Sequence, residues 1–157
     1  RGLVDLGTLG GRNTYVTAVN ERGQAVGYSE TAGGRTHAFL WQRGVMTDLD
    51  PFDSSVSIAT AINDRGQVTG TLTPGPGEDS QLFVWERGRI RLLGVSGSAV
   101  DINNRGQVLG TRGSDASDTA SFLWTKGKIQ DLGNFGFPVN DAWRSTTEVR
   151  SSADPAA

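Results

Sequence analysis

Apolar positions in this chain fall in short runs, each bounded by polar segments that contain glycine. A run of about four to eight residues closed by turn residues is typical of a β-strand. No segment longer than about ten residues carries the 3.6-residue apolar spacing of an amphipathic helix. The pattern therefore predicts an all-β chain.

The runs recur with a fixed period of about forty residues. The motif Asn-x-Arg-Gly-Gln-x-x-Gly occurs three times, beginning at Asn20, Asn63 and Asn103. After each copy comes an aromatic Phe-x-Trp run and then a Gly-containing turn with a last apolar stretch. A period of this size indicates an array of stacked structural units rather than one irregular domain.

One unit reads as four short antiparallel strands. In Asn-x-Arg-Gly, an Asn side chain at the first turn position can bond the backbone ahead of it, and Gly accepts positive φ at the last. This predicts a tight hairpin between the first two strands of each unit. The structural turn residues are Asn20, Gly23, Asn63, Gly66, Asn103 and Gly106.

Units of this size with an aromatic third strand favour tandem four-stranded antiparallel blades of a partial β-propeller. We place blade 1 at 14–50, blade 2 at 56–94 and blade 3 at 97–133. Residues 1–13 read as the last strand of a preceding blade plus a connection, and 134–157 as the start of an incomplete blade with a disordered tail. The inter-blade core is expected to contain Phe39, Trp41, Phe83, Trp85, Phe122 and Trp124.

Composition and charge narrow the function classes. The formal net charge of −2 comes without a basic cluster, so we expect no nucleic-acid partner. No run of eighteen apolar residues occurs, so no membrane insertion is expected. The absence of cysteine excludes disulfides and thiolate metal sites, and we expect no metal and no other cofactor.

The motifs carry a family resemblance. Asp-Leu-Gly-Thr-Leu-Gly-Gly at 5–11, the three Asn-x-Arg-Gly-Gln hairpins and His-Ala-Phe-Leu-Trp at 37–41 resemble the HAF repeat of bacterial extracellular repeat proteins. The resemblance covers about residues 1–133. It implies a secreted or surface-exposed bacterial protein with a propeller-like fold, and no established activity. Gln81 and Ala120 replace His37 in copies two and three, so the repeat does not require the histidine.

No catalytic residues are predicted. His37 is the only histidine, and a variable repeat position does not suit a general base. Asp5, Asp48 and Asp131 recur at one repeat position, with Leu92 in copy two, and a hydrogen-bonding role at a strand end is the simpler interpretation. A carboxylate enzyme remains the alternative if Asp48 and Asp131 share one pocket about 5 to 10 Å apart with an Arg beside them.

Two further groups of residues are candidate binding sites. Calcium could be attracted by Asp48, Asp50 and Asp53, or by Asp115 and Asp118, but neither set has the usual calcium-loop spacing. The three Asn turns could offer a repeated polar rim to a sugar or a peptide. Turn formation alone also explains them.

The sequence therefore predicts a non-enzymatic extracellular interaction scaffold. Its partner is a protein or a glycan of unknown identity, and self-association through open blade edges is a further expectation. The alternatives are a polysaccharide-active lyase or hydrolase with carboxylates near a propeller axis, and a purely structural repeat fragment.

Overall fold

A computed structural model of the chain describes residues 2–112 and 119–133, and the regular elements in these ranges are twelve β-strands. The prediction of an all-β chain is confirmed. Within the same ranges, no helix is long and apolar enough to cross a membrane.

The strands follow one another in three groups of four. Unit 1 contains β1 (Gly10–Val19), β2 (Ala25–Thr31), β3 (Thr36–Gln42) and β4 (Val45–Asp48). Unit 2 contains β5 (Val56–Ile62), β6 (Val68–Thr73), β7 (Gln81–Glu86) and β8 (Arg89–Ser96). Unit 3 contains β9 (Ser98–Ile102), β10 (Val108–Arg112), β11 (Ala120–Thr125) and β12 (Lys128–Gly133).

Within each unit every strand pairs antiparallel with the next one along the chain. Units 1 and 2 are joined in addition by one parallel bridge between Thr36 and Val56. Unit 3 forms a separate sheet. Both sheets are open, since neither closes on its own first strand.

The chain outside these units is described only in part. Residues 2–8, assigned from sequence to the last strand of a preceding blade, form no strand, and Leu3 is fully exposed. A strand forms only where a neighbouring strand supplies hydrogen bonds, so this assignment stays a prediction. The predicted incomplete blade at 134–157 and the residues Asp115 and Asp118 lie outside the described ranges.

The first strand of each unit carries a β-bulge at the same repeat position. Thr17, Thr60 and Val100, each three residues before the turn Asn, are skipped in the pairing with the second strand. A bulge bends its strand and increases the local twist. The three bulges therefore give the three units the same local distortion.

A glycine of the second strand lies opposite each bulge. At Gly70, an added Cβ would overlap the carbonyl oxygen of Ile58 and lie 2.7 Å from Cζ of Phe83. Phe83 is the cross-strand partner of Gly70, and Phe122 stands in the same relation to Gly110. The final glycine of the motif is thus required by close packing on both sides.

Two apolar clusters lie between consecutive units. One joins Val26, Ala38, Leu40 and Leu49 of unit 1 to residues of unit 2 that include Phe83. The other joins Leu82 and Val84 of unit 2 to unit 3 residues that include Phe122 and Trp124. Complete burial of such a side chain contributes about 1.5 to 3 kcal/mol, so these clusters are a main source of cohesion between units.

The six aromatic residues assigned to the inter-blade core are not equivalent in the structure. Phe39, Phe83 and Phe122 are fully buried, and Trp124 is 5% exposed. Trp41 and Trp85 are half-buried, and Trp85 packs at the margin of the first cluster. Phe39 alternates with Ala38 and Leu40, so it lies on the sheet face of unit 1 that is turned away from unit 2.

Candidate functional site

Each Asn turn is held by its own side chain. Oδ1 of Asn20 accepts hydrogen bonds from the backbone N–H groups of Arg22 and Gln24, both at 3.0 Å. The N–H of Gly23 donates to the carbonyl of Asn20 at 3.3 Å, and Gly23 has a φ of 75°. The Asn63 and Asn103 turns repeat this geometry, with Gly66 and Gly106 in the positions of Gly23.

The same side chains connect one unit to the next. Nδ2 of Asn20 donates to the carbonyl oxygen of Asn63 at 3.0 Å, and Nδ2 of Asn63 donates to the carbonyl oxygen of Asn103 at 2.8 Å. Each Nδ2 also donates to the Gln side chain four residues ahead, as Asn63 does to Gln67 at 2.7 Å. We call this row of side chains the Asn ladder (Asn20, Asn63 and Asn103).

A second row of contacts runs beside the ladder. The backbone N–H of Glu21 donates to Oδ1 of Asp64 at 3.0 Å, and the N–H of Asp64 donates to Oδ1 of Asn104 at 2.8 Å. These bonds join positions 43 and 40 residues apart. The residue after each turn Asn therefore also links neighbouring units.

The hydrogen-bonding capacity of Asn20 and Asn63 is used within the protein. Each side chain accepts two hydrogen bonds and donates two, which is the ordinary limit for an amide. The polar rim considered from the sequence would need free amide groups. A ligand would therefore contact the side chains that flank each turn Asn.

A groove with a volume of about 480 Å³ follows the turns. Three equivalent positions of each unit line it: Val19, Asn20, Glu21, Ile62, Asn63, Asp64, Ile102, Asn103 and Asn104. Val19 is 68% exposed. The Glu21 carboxylate makes no hydrogen bond or ion pair with the described residues. The groove therefore offers the exposed apolar side chain of Val19, the free carboxylate of Glu21 and the exposed, hydrogen-bonded carboxylate of Asp64.

A second group of polar side chains surrounds His37, which the sequence indicated only as a variable strand position. Nδ1 of His37 lies 2.8 Å from Oδ2 of Asp48 on the adjacent strand β4. The His37 side chain is 5% exposed and the Asp48 side chain 39%. Strand pairing brings the two together, because Asp48 pairs with Phe39 and lies beside the histidine position.

The other nitrogen of this ring faces two more carboxylates. Nε2 of His37 lies 3.4 Å from Oδ1 of Asp53 and 3.9 Å from Oδ2 of Asp50, and it makes no hydrogen bond. Asp50 has a fully buried side chain, and its Oδ1 accepts hydrogen bonds from the N–H of Phe52 and the hydroxyl of Ser54. We call His37, Asp48, Asp50 and Asp53 the His37 cluster.

The two recurrent carboxylates weighed for catalysis are not brought together in one ion pair or loop. Asp48 is bound to His37 in unit 1, whereas Asp131 pairs with Arg112 at 2.5 Å in unit 3. Unit 2 separates the two units along the chain. Each carboxylate has its cationic or hydrogen-bonding partner on a strand of its own unit.

The three units differ in the side chain that pairs with the carboxylate at the Asp48 position. Unit 1 has His37 on its third strand, and unit 3 has Arg112 on its second strand. In unit 2 the position of Asp48 is taken by Leu92, and the position of His37 by Gln81. In unit 2 the carboxylate and its partner are both absent, whereas unit 3 keeps the carboxylate as Asp131 and has Ala120 at the histidine position. The repeat pattern therefore carries no consistent signal for the His37–Asp48 pair.

A larger cavity of about 860 Å³ lies between units 2 and 3. Its lining includes Asp79, Ser98, Arg112 and Ile129. Arg112 already pairs with Asp131. Most of the lining residues are small, and the only basic side chain among them is that of Arg112.

Comparison with known proteins gives a likeness of fold. No family model matches the chain, and no curated protein matches it. Among solved structures, the chain is similar to a Pyrococcus horikoshii acylaminoacyl peptidase in an orthorhombic crystal form, with a TM-score of 0.54 and 15% sequence identity. The aligned part covers 78% of this chain and 21% of the peptidase. At this identity the similarity concerns the path of the backbone and carries nothing about activity.

Proposed function

We propose that the chain is a non-enzymatic extracellular repeat module, an array of HAF-type blades of a partial β-propeller that serves as an interaction scaffold. The observation that supports this most directly is the Asn ladder. The side chains that define the repeat are engaged in holding consecutive units together. A repeat built in this way supplies a rigid surface, and the positions that vary between copies supply its specificity.

The surface we assign to ligand binding is the groove beside the Asn ladder. Glu21 contributes an unpaired carboxylate, and Val19 contributes exposed apolar area. A carboxylate next to an apolar contact complements a peptide segment with a basic side chain. We therefore favour a protein ligand, and a glycan is the alternative outcome of the test.

The test is a binding screen of the full chain against secreted bacterial proteins and a glycan array. Glu21→Lys reverses the free charge in the groove and leaves the backbone bond from residue 21 to Asp64 in place. We expect it to weaken ligand binding about tenfold or more. Glu78→Lys makes the same change on an exposed loop away from the groove and should leave binding unchanged.

The proposal would be contradicted by a ligand that binds both variants equally, because the groove would then not be the binding surface. A screen of both libraries without any ligand would contradict the scaffold role. Hydrolysis or elimination on a glycan of the array would favour the enzymatic alternative instead.

A further inference from the structure

We propose that Arg43, Arg87 and Lys126 form a binding surface for a linear polyanion, an acidic polysaccharide. Each of them occupies the hairpin between the third and fourth strands of its unit, and we call the three residues the basic tips. None of them lines the groove beside the Asn ladder. The inference therefore does not depend on the function proposed above.

The backbone of the basic tips is the first observation. Arg43 and Arg87 have a φ of 51° and Lys126 has a φ of 49°, and a glycine of positive φ follows each of them. Two successive residues of positive φ are typical of a type I′ hairpin turn, in which Asn, Asp or Gly is preferred at the first position. A basic residue stands there in all three units, although the turn itself does not favour one. An unfavourable backbone conformation that is retained in this way points to a use for the side chain.

Contacts within the units place the basic tips along one edge of the molecule. In each unit the residue before the tip accepts a hydrogen bond from the side-chain amide of the Gln in the Asn turn. The pairs are Gln24 with Gln42, Gln67 with Glu86, and Gln107 with Thr125. Because the Asn ladder joins the three turns to one another, the tips beside them form a row. The tips are far apart in the sequence, so the sequence alone shows no basic cluster.

The charges of this row are available to a ligand. All three basic tips are exposed, and none makes a hydrogen bond or an ion pair with the described residues. The Asn turns beside them add an exposed arginine in each unit, namely Arg22, Arg65 and Arg105. Arg65 donates one N–H to the carbonyl of Asn104 at 3.3 Å, and a guanidinium has five such donors.

Acidic side chains on the same turns and hairpins are fewer. They are Glu21, Asp64 and Glu86, and the last two already accept hydrogen bonds from neighbouring residues. This edge therefore carries an excess of positive charge, although the whole chain has a formal net charge of −2. A local excess of one sign attracts a partner of the opposite sign.

The spacing of the row favours a polysaccharide over a nucleic acid. Consecutive units pack face to face through apolar clusters, and sheets packed in this way lie about 10 Å apart. A DNA strand carries one negative charge about every 3.4 Å, which is much denser than the row. An acidic polysaccharide with one charged sugar in each disaccharide has more widely spaced charges. Its carboxylate or sulfate groups can each accept paired hydrogen bonds from a guanidinium.

The experiment measures binding of the full chain to polygalacturonate and dextran sulfate by calorimetry at low and high NaCl. Neutral dextran is the uncharged control, and single-stranded poly(dT) represents nucleic acid. We expect both acidic polysaccharides to bind, with an affinity that falls as salt screens the charges. Arg87→Asn should weaken binding about two- to fivefold, as loss of one exposed ion pair would. Replacing all three basic tips by Asn should weaken it about tenfold or more, and Asn tolerates the positive φ.

Two further variants separate this surface from others. Arg12→Asn removes the same charge from an exposed position at the start of β1, away from the Asn turns, and should bind as the unaltered chain does. Glu21→Lys alters the groove and should not weaken polysaccharide binding. Equal binding by the triple variant and the unaltered chain, or no binding of either acidic polysaccharide at low salt, would overturn the proposal. Tighter binding of poly(dT) than of both polysaccharides would overturn the choice of ligand class.

Discussion

Gly70 lies at a point where two strands and an aromatic ring meet. The bulge of β5 turns the carbonyl oxygen of Ile58 toward it, and Phe83 covers its other side. Any side chain at this position would have to displace backbone, which cannot yield as the far end of a flexible side chain can.

Gly70→Ala should therefore destabilise the protein although it adds a single methyl group. Overpacking of a core costs about 1 to 3 kcal/mol, and we expect the upper part of this range because the clash involves backbone. The measurement is the free energy of unfolding in urea. Gly33→Ala is the matched control, because a Cβ at Gly33 would approach only the hydroxyl of Thr31 at 3.8 Å. Equal losses for the two variants would contradict the packing argument.

The sequence shows that a glycine recurs at this position but not why. Turn glycines are recognisable because their signal is local, as in Asn-x-Arg-Gly. The requirement at Gly70 comes from a bulge on a different strand, and simple alternation of apolar residues does not reveal a skipped residue. The sequence grouped Asp48, Asp50 and Asp53 but did not add His37 to them, since strand register brings the histidine beside Asp48.

At the level of elements, the hairpin between the first two strands both turns the chain and joins it to the next unit. Asn63 combines these roles through different atoms. Its Oδ1 closes its own turn, and its Nδ2 reaches Gln67 and the carbonyl of Asn103. The two roles can therefore be separated by a substitution that retains only the acceptor.

Asn63→Asp retains the turn bonds and replaces the donor by an oxygen that faces two acceptors. Because residue 63 is 4% exposed, we expect a loss of about 2 to 4 kcal/mol in unfolding free energy. Asn13→Asp, at an exposed position of β1, is the control and should change stability by less than about 0.5 kcal/mol. If the two variants lose the same unfolding free energy, the hydrogen bond from Asn63 to Asn103 does not contribute to stability.

Prediction from sequence was effective for elements whose information is local. Short apolar runs with turns between them predict strands, and the all-β fold follows from them. The sequence did not predict that the turn Asn also reaches the next unit. That contact depends on how two units stack, and nothing within one copy of the motif encodes the distance between copies.

At the scale of the whole molecule, the open sheets leave strands with one free edge. Among the described strands β4 pairs with β3 alone, and its Val45 is 61% exposed. An unpaired edge with an apolar side chain is a template for pairing with another chain. The charged residues on the other last strands, such as Arg89 and Lys128, discourage this.

We therefore expect the chain to self-associate as its concentration rises, with β4 as the contact. Sedimentation velocity over a range of concentrations should show a growing dimer or higher species. Val45→Lys should shift the association to about tenfold higher concentration, because a lysine on an edge strand opposes pairing. Leu3→Lys changes an exposed apolar residue outside the strands and should leave the association as it was. A chain that stays monomeric throughout would contradict the expectation.

The Asn ladder has a direction, and this direction makes the architecture extendable. The middle turn offers a side-chain donor to the turn that follows and a backbone acceptor to the turn that precedes, as Asn63 does for Asn103 and Asn20. A duplicated unit inserted between two existing ones would find both partners already in place. We therefore expect the array to tolerate gain or loss of whole copies where the apolar contacts at the new junction also fit.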